Sequence, residues 1–305
     1  MFFTLIMELL TPAHWKDYEL LDSGGFEKLE RFGEYILARP EPQACWDKSM
    51  DAGEWKRRAH VVFVREKGTA DKEGEKGRWQ FIKKMPEQWY VTYQYKSMQL
   101  RMRLGLTSFK HVGIFPEQAE NWNYIYDQLV AHKGTAGRVL NLFAYTGGAS
   151  LAARAAGAEV VHVDSVKPVV SWAHENMDAS NLSDIRWVVE DALKFVQREV
   201  KRGNHYQGIL LDPPAYGRGP EGQKWILEDN INEMMHLCAQ LLEPAHSFIL
   251  LNLYSMGFSS LVAENLVRSM IPDIKHTSFG ELYLQDSYAK KLPLGVFCRG
   301  EKNDE

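Results

Sequence analysis

Cysteine is scarce in this 305-residue chain: Cys45, Cys238 and Cys298 are its only three. They are odd in number and far apart, with no C-x-x-C or Cys/His ligand spacing. That excludes a disulfide framework and a thiolate zinc site; no metal site is expected. A reducing, cytoplasmic setting follows. Long apolar runs are missing too. The opening MFFTLIMELL has no basic lead and no small-residue cleavage pattern, and it is too short to cross a bilayer. It is expected to be a packed N-terminal segment, and no membrane partner is expected. Nor is there an excess of positive charge. The formal net charge is −4, from 36 Lys and Arg against 40 Asp and Glu. A general nucleic-acid coat protein is thereby excluded, but a basic patch on one face is not. Internal repeats are absent, and so is the G-x-G-x-x-G dinucleotide fingerprint.

What is present is an ordinary globular composition, 45% hydrophobic and 25% charged, long enough for one large domain or two. The rhythm changes near residue 112. Before it, HVVFVREK (60–67), WQFIKK (79–84), QWYVTYQY (88–95) and QLRMRLGL (99–106) alternate with period two and predict antiparallel strands. GTADKEGEKG (68–77) reads as a solvated loop. After it, RVLNLFAY (138–145), AEVVHVD (158–164), IRWVVED (185–191), YQGILLD (206–212) and HSFILLNLY (246–254) alternate with helical patterns, one of them running from about Lys224 to Leu242. This predicts a parallel, doubly wound sheet. The runs 274–284 and 292–299 have no helix between them and predict a terminal hairpin with its last strand antiparallel. The division expected is a small β-rich domain over 1–112 and an α/β catalytic domain over 113–305.

Open α/β sheets bind ligands beyond the carboxyl ends of their strands. Four ends carry candidates. In NLFAYTGGAS (141–150), Gly147 and Gly148 let backbone approach a ligand ahead of a helix, or form a plain strand-to-helix turn. Asp164 suits ribose hydroxyls, and equally a helix N-cap. Glu190 and Asp191 suit an adenine amino group, or again an N-cap. LLDPPAYGRG (210–219) ends an apolar strand in an acid followed by two prolines. Asp212 and the carbonyls of Pro213 and Pro214 can accept from an amine, and Tyr216 offers a stacking face. His162, inside the second strand, reads as a core histidine.

NLFAYTGG, VDS, EDALKF, LLDPPAYGRG and LPLGVFCR together resemble class I S-adenosylmethionine-dependent methyltransferases, and most closely the bacterial 23S ribosomal RNA large-subunit methyltransferase I/K family. FKHVGIFPEQAENW (109–122) fits the family's approach to the catalytic domain. The resemblance covers roughly residues 100–300. It implies a Rossmann-like seven-stranded sheet with an antiparallel last strand. It also implies S-adenosylmethionine bound against Phe115, the loop Asn141, Phe143, Ala144, Tyr145, Thr146, Gly147 and Gly148, then Asp164 and Ser165, Glu190, Asp191 and Ala192, and Asp212. The PUA domain that opens one branch of the family is not visible here. The C5-methylating branch carries a cysteine after the fifth strand; here the position reads Asn252-Leu253-Tyr254-Ser255. Without a thiolate to add to the ring, 5-methylcytosine is disfavoured and a base nitrogen is the expected acceptor.

For RNA as the substrate, Arg101 and Arg103 share one strand face with Lys96 and Lys110 near them. Lys56–Arg58 makes a second cluster, and Arg218 and Lys224 flank the Pro-Pro turn. All of these also fit a solvated surface. Two other readings stand beside RNA methylation: a methyltransferase acting on a protein or small molecule, and a cofactor-binding scaffold without catalysis. The oligomeric state is left open.

Overall fold

The computed structural model describes residues 6–13, 15–66, 76–131, 137–254, 257–271 and 273–302. Most of the expected 68–77 loop, and Ser255, lie outside them. The chain falls into two compact units that are not consecutive in sequence. One, the sheet unit, gathers Met1–Leu10, Ala119–Leu282 and Gly295–Glu305; the other, the β unit, gathers Thr11–Gln118 and Tyr283–Leu294. A single cut after residue 112 does not reproduce this division.

Strand β1 (Glu8–Leu10) joins the large sheet, parallel to a strand near the far end of the chain. Within the opening segment, residues 8–10 therefore form an edge strand and not a packed plug: Ile6, Met7 and Leu9 are all exposed. In the β unit, β2 (Tyr18–Gly24), β3 (Glu27–Phe32) and β4 (Tyr35–Pro40) form an antiparallel meander. Helix α1 (Ala52–Arg58) follows, capped by the Asp51 side chain on the Glu54 amide. The sheet closes with β5 (Val61–Arg65) and β6 (Gly77–Phe81), and β7 (Gln88–Tyr95) pairs separately with β8 (Met98–Gly105). Strands β5, β7 and β8 sit where alternation placed them; β6 lies earlier than the expected 79–84, ending at Phe81, and β5 runs parallel to β4 where an antiparallel pair is expected. The meander went unread because buried polar residues interrupt its pattern on both faces: Asp22 shares a face with Leu29 and Ala38, and Ser23, Lys28, Glu30 and Arg39 lie on the other.

Those buried charges are paired. Glu30, fully buried, accepts both Nε (2.5 Å) and Nη2 (3.1 Å) of Arg39 and the Tyr18 hydroxyl (2.8 Å), with Lys28 3.7 Å away. Asp22 accepts from the Met50 amide (2.9 Å), the Trp55 indole (2.8 Å) and Lys290 Nζ (2.9 Å). Lys290 and Asp286 lie in the tip of the terminal hairpin, and Ser23 Oγ donates to Asp286 at 2.8 Å. This is why Tyr283–Leu294 belongs to the β unit.

The sheet unit runs α2 (Ala119–Ala131), β9 (Arg138–Leu142), α3 (Gly148–Ala155), β10 (Glu159–Asp164), α4 (Lys167–Ala179), β11 (Ile185–Val189), α5 (Ala192–Arg202) and β12 (Gly208–Leu211). A short hairpin of β13 (Tyr216–Arg218) and β14 (Lys224–Ile226) follows. Then come α6 (Leu227–Leu241), β15 (Ser247–Leu253), α7 (Ser260–Met270), β16 (His276–Gln285) and β17 (Lys291–Lys302). Lys224 is thus a hairpin residue and not the start of a helix; Trp225 and Ile226 are consumed in pairing with Gly217 and Tyr216 before α6 begins. The sheet order is β1-β16-β17-β15-β12-β9-β10-β11, with β17 antiparallel to β15. That is the expected seven-stranded arrangement with β1 added at one edge. Every residue of β12 and β15 is buried, as central strands covered on both faces require.

Removing the Glu30 side chain leaves Arg39 charged and unpaired in the interior, so Glu30→Ala should lose on the order of 3–5 kcal/mol. Arg39 and Lys28 outweigh the burial of Glu30 and hold its carboxyl at about 2, against an ordinary 4.5. A depressed carboxyl stabilises the fold above its unfolded value and stops doing so as pH falls through the folded one. Urea midpoints of the full-length variant and parent should therefore differ most at neutral pH and converge as pH falls from 4.5 towards 2.

Candidate active site

The carboxyl ends of β9, β10, β11, β12 and β15 finish along one edge. The registers Val163↔Leu142, Asp164↔Val189, Leu211↔Leu142 and Leu211↔Leu251 align them. From β9 the chain goes outward to β10 and β11, then returns to place β12 on β9's other side. The gap between these two connections is where a doubly wound sheet opens a crevice.

The loop leaving β9 is held in an unusual backbone form. Phe143 (φ 56°) and Tyr145 (φ 49°) are left-handed without being glycine, and Gly147 (φ 91°) follows. Such residues persist only where their surroundings over-determine them. Here the surroundings are explicit. The Ala144 amide donates to the Val163 carbonyl (3.1 Å), the Tyr145 amide to Asp164 Oδ2 (2.9 Å), and Asn176 Nδ2 to the Thr146 carbonyl (2.9 Å). Gly148 is required by packing, since a Cβ there would lie 2.6 Å from the Trp122 ring. Asn141 is buried and donates to Ser150 Oγ (2.9 Å), which also meets His162 Nδ1 (3.0 Å). His162 is a core histidine, its pKa pushed down to about 3 by burial.

Asp164 closes β10 and also takes the Val166 amide (2.9 Å). Burial still holds its carboxyl above the usual range, so the amides on it do not fully offset its desolvation. Ser165 beside it is half-buried. Asp191 caps α5 through the Lys194 amide (2.9 Å), immediately before buried Ala192. Glu190 is engaged by both terminal nitrogens of Arg198.

Asp212 follows the last residue of β12 and stands one step past the pair Leu211↔Leu251, next to Asn252 of β15. Asn252 Nδ2 donates to Asp212 Oδ1 at 2.7 Å. Burial pushes the Asp212 carboxyl up to about 6, and this bond opposes the shift. Pro213 is buried and Pro214 exposed. The Pro214 carbonyl is already taken by the Trp225 indole at 2.7 Å, so only the Pro213 carbonyl of the expected pair remains open to assignment. The Trp225 ring also packs on Phe143, with centroids 4.7 Å apart, joining the two strand-end loops. Tyr216 is 50% exposed on the hairpin, and Arg218 Nε donates to its hydroxyl at 3.0 Å. Arg218 and Lys224 stand opposite each other across the same hairpin.

The expected residues are thus partly gathered. Asn141–Gly148, Asp164, Ser165, Glu190–Ala192 and Asp212–Pro214 line one sheet edge, with Tyr216, Arg218 and Lys224 on the hairpin beyond β12. Phe115, Arg101 and Arg103 belong to the β unit. There the Phe115 ring lies 5.2 Å from that of His111, and the Arg101 guanidinium lies 4.4 Å over the Tyr90 ring. Arg57 and Arg58 are both bound by Glu54, a solvated helix pattern. Cys238 and Cys298 are buried and their thiols pushed up, Cys298 to about 12, whereas Cys45 is exposed and not structural. Sequence reasoning missed Trp225, hidden in an apparently helical run, and the part played by Asn252, visible only as a polar residue in an apolar strand.

Comparison with known proteins places this geometry. Residues 81–270 match the model of the S-adenosylmethionine-dependent methyltransferase family. A solved S-adenosylmethionine-dependent methyltransferase from Agrobacterium tumefaciens is 35% identical, with a TM-score of 0.86, over 97% of this chain and 94% of that one. SMU.776, solved in complex with SAH, shares the fold at 16% identity (TM-score 0.70; 94% of this chain, 76% of that one). Ribosomal RNA large subunit methyltransferase K/L of Shewanella frigidimarina is 30% identical over 158 residues, half of this chain. The chain spans about a fifth of the length of that relative, 21%. The strand order, the aligned acidic strand ends and these matches agree: the chain belongs to the S-adenosylmethionine-dependent methyltransferase family.

Proposed function

We propose that this chain methylates a base nitrogen in RNA, ribosomal RNA being the favoured substrate. The observation that carries the reading is Asp212: a half-buried carboxylate at the end of the central strand, oriented by Asn252, with a pKa of about 6. At neutral pH it is ionised yet basic enough to accept a proton, the condition for a general base.

The residues present fit the cofactor. Asp164 and Asp212 are both acids whose local hydrogen bonds fall short of offsetting burial, and a cationic, hydroxyl-bearing ligand supplies what they lack. S-adenosylmethionine, when bound, supplies an electrophilic methyl group on sulfur. In this reading Asp164 takes ribose hydroxyls, and the free oxygen of Asp191 faces the adenine amino group. The strained Phe143–Gly147 loop presents its backbone. Glu190, committed to Arg198, orients the third strand end. Asp212 and the Pro213 carbonyl hold the acceptor nitrogen, and Tyr216 offers it a stacking face. Arg218 and Lys224, like charges opposed across a hairpin, are offset by phosphate between them. Arg101 and Arg103 add a second phosphate-binding face on the β unit. The K/L relatives support RNA as the substrate. A cytoplasmic site of action accords with this, and no helix among the described residues is long and apolar enough to cross a membrane.

Purified protein should transfer labelled methyl to RNA from cells lacking it, and Asp212→Ala should lower the rate by about a hundredfold or more. Label in protein or small molecules, with none in RNA, would overturn the reading. The rate should fall about tenfold per pH unit below about pH 6, as Asp212 becomes protonated.

The same group predicts a stability effect of opposite sense. A carboxyl raised from 3.8 to about 6 weakens the fold once ionised: the penalty is absent below about pH 3.8, grows as pH rises to 6, and is constant above. It amounts to about 3 kcal/mol at most. Asp212→Asn should therefore melt higher than the parent at pH 8 and equal to it near pH 4, while losing activity.

A further inference from the structure

The β13–β14 hairpin touches the crevice at two places. At its base, the Trp225 indole donates to the Pro214 carbonyl and its ring packs on Phe143. Its tip is a turn bonded to itself: the Gly219 amide donates to the Gln223 carbonyl (2.8 Å), and the Gly222 amide to the Gly219 carbonyl (3.0 Å). That tip lies on the start of α5. Glu221 pairs with Lys194 Nζ at 2.5 Å, and Gly219 sits directly against Asp191. A Cβ at position 219 would stand 3.1 Å from both Cβ and Oδ2 of Asp191. It would also meet the end of the Gln223 side chain, which is flexible and can swing aside. Asp191 has less freedom, because its Oδ1 accepts from the Lys194 amide at 2.9 Å and caps α5. Its Oδ2 meets no donor among the described residues, and this is the oxygen that Gly219 leaves uncovered. The backbone at Gly219 is outside the left-handed region, so its conformation does not call for glycine; the space beside Asp191 does. Gly217 in the same hairpin differs. An added Cβ there would come no nearer than 3.6 Å to any atom, an ordinary contact.

Resting on the reading above that Asp191 faces the adenine amino group, we propose that the hairpin tip is a wall of the cofactor site and that Gly219 sets how well the base is recognised. The amino group brings N–H donors, and Asp191 Oδ2 is an acceptor held in place by the cap on the other oxygen. A methyl group at position 219 either covers Oδ2 from the hairpin side or pushes the carboxylate off its cap. Both outcomes weaken the hydrogen bond that distinguishes an amino group from an oxygen at that edge of the purine. Gly219 is therefore a positioning residue that acts through Asp191. The Lys194–Glu221 pair holds the tip where this matters.

The test is calorimetric titration of two ligands into the full chain. One is SAH, the cofactor without its methyl group. The other is S-inosylhomocysteine, in which an oxygen replaces the adenine amino group. The parent should bind SAH roughly ten- to a hundredfold more tightly, since that oxygen has no proton to give Asp191. Asp191→Ser keeps a cap on α5 but has no second oxygen, so it should lose most of this preference. Gly219→Ala should bind SAH roughly three- to tenfold more weakly than the parent, and S-inosylhomocysteine no more weakly. Gly217→Ala should match the parent for both. A parent without the preference, or an Asp191→Ser protein that retains it, overturns the reading of Asp191 and this inference with it. If Asp191 does carry the preference, a Gly219→Ala protein that binds SAH like the parent, or loses both ligands equally, overturns the role of Gly219 alone.

Discussion

A half-buried carboxylate at the end of a four-residue strand, with one hydrogen bond to steady it, sets the terms for the rest of the sheet unit. Gly208–Leu211 is wholly buried, and Asp212, which follows it, is only partly exposed. Asp212 is tolerable there only because β15 places Asn252 beside it, and β15 is held in place by parallel β12 on one side and antiparallel β17 on the other. The inserted last strand is thus part of the site's support. Registers Asn252↔Phe297 and Leu251↔Cys298 fix the height at which the amide meets the acid.

Around this pair the strand-end loops are tied to one another more than to their own strands. The indole of Trp225 closes the Pro-Pro turn through its N–H and pins Phe143 through its ring. Asp164, on β10, holds the amide of left-handed Tyr145 on the neighbouring loop. Preorganisation of this kind keeps a site from relaxing onto itself when empty, and it concentrates both strain and under-satisfied acids where ligand is to bind.

The sheet was legible from its repeated strand–helix rhythm and from the absence of a helix between the last two strands. These are backbone-period signals that burial on both faces preserves. The position of Asp212 at a strand end was legible because an acid and two prolines cannot be explained by an apolar strand. The short hairpin was not, since three-residue strands carry too little alternation to separate from a helical pattern, and Trp225 hid there as an apparent core residue. The β2–β4 meander was lost for the opposite reason. Its buried positions mix Leu20, Leu29 and Leu37 with Asp22, Glu30, Arg39 and Lys28, whose pairing partners are known only once the strands are side by side. Asn252 stood out only as a polar residue in a core strand until its neighbour was in view.

The interlacing of the two units has a consequence for how the chain is made. Asp22 needs Lys290, which lies 268 residues further along, and Ser23 needs Asp286. The β unit comes early in the chain, and Asp22, though met by the Met50 amide and the Trp55 indole, lacks its lysine partner until the terminal hairpin has been synthesised. The last buried ion pair of that unit therefore forms only with the hairpin in place. A nascent chain stalled between the two would carry a half-built first unit that only the late-arriving hairpin can complete.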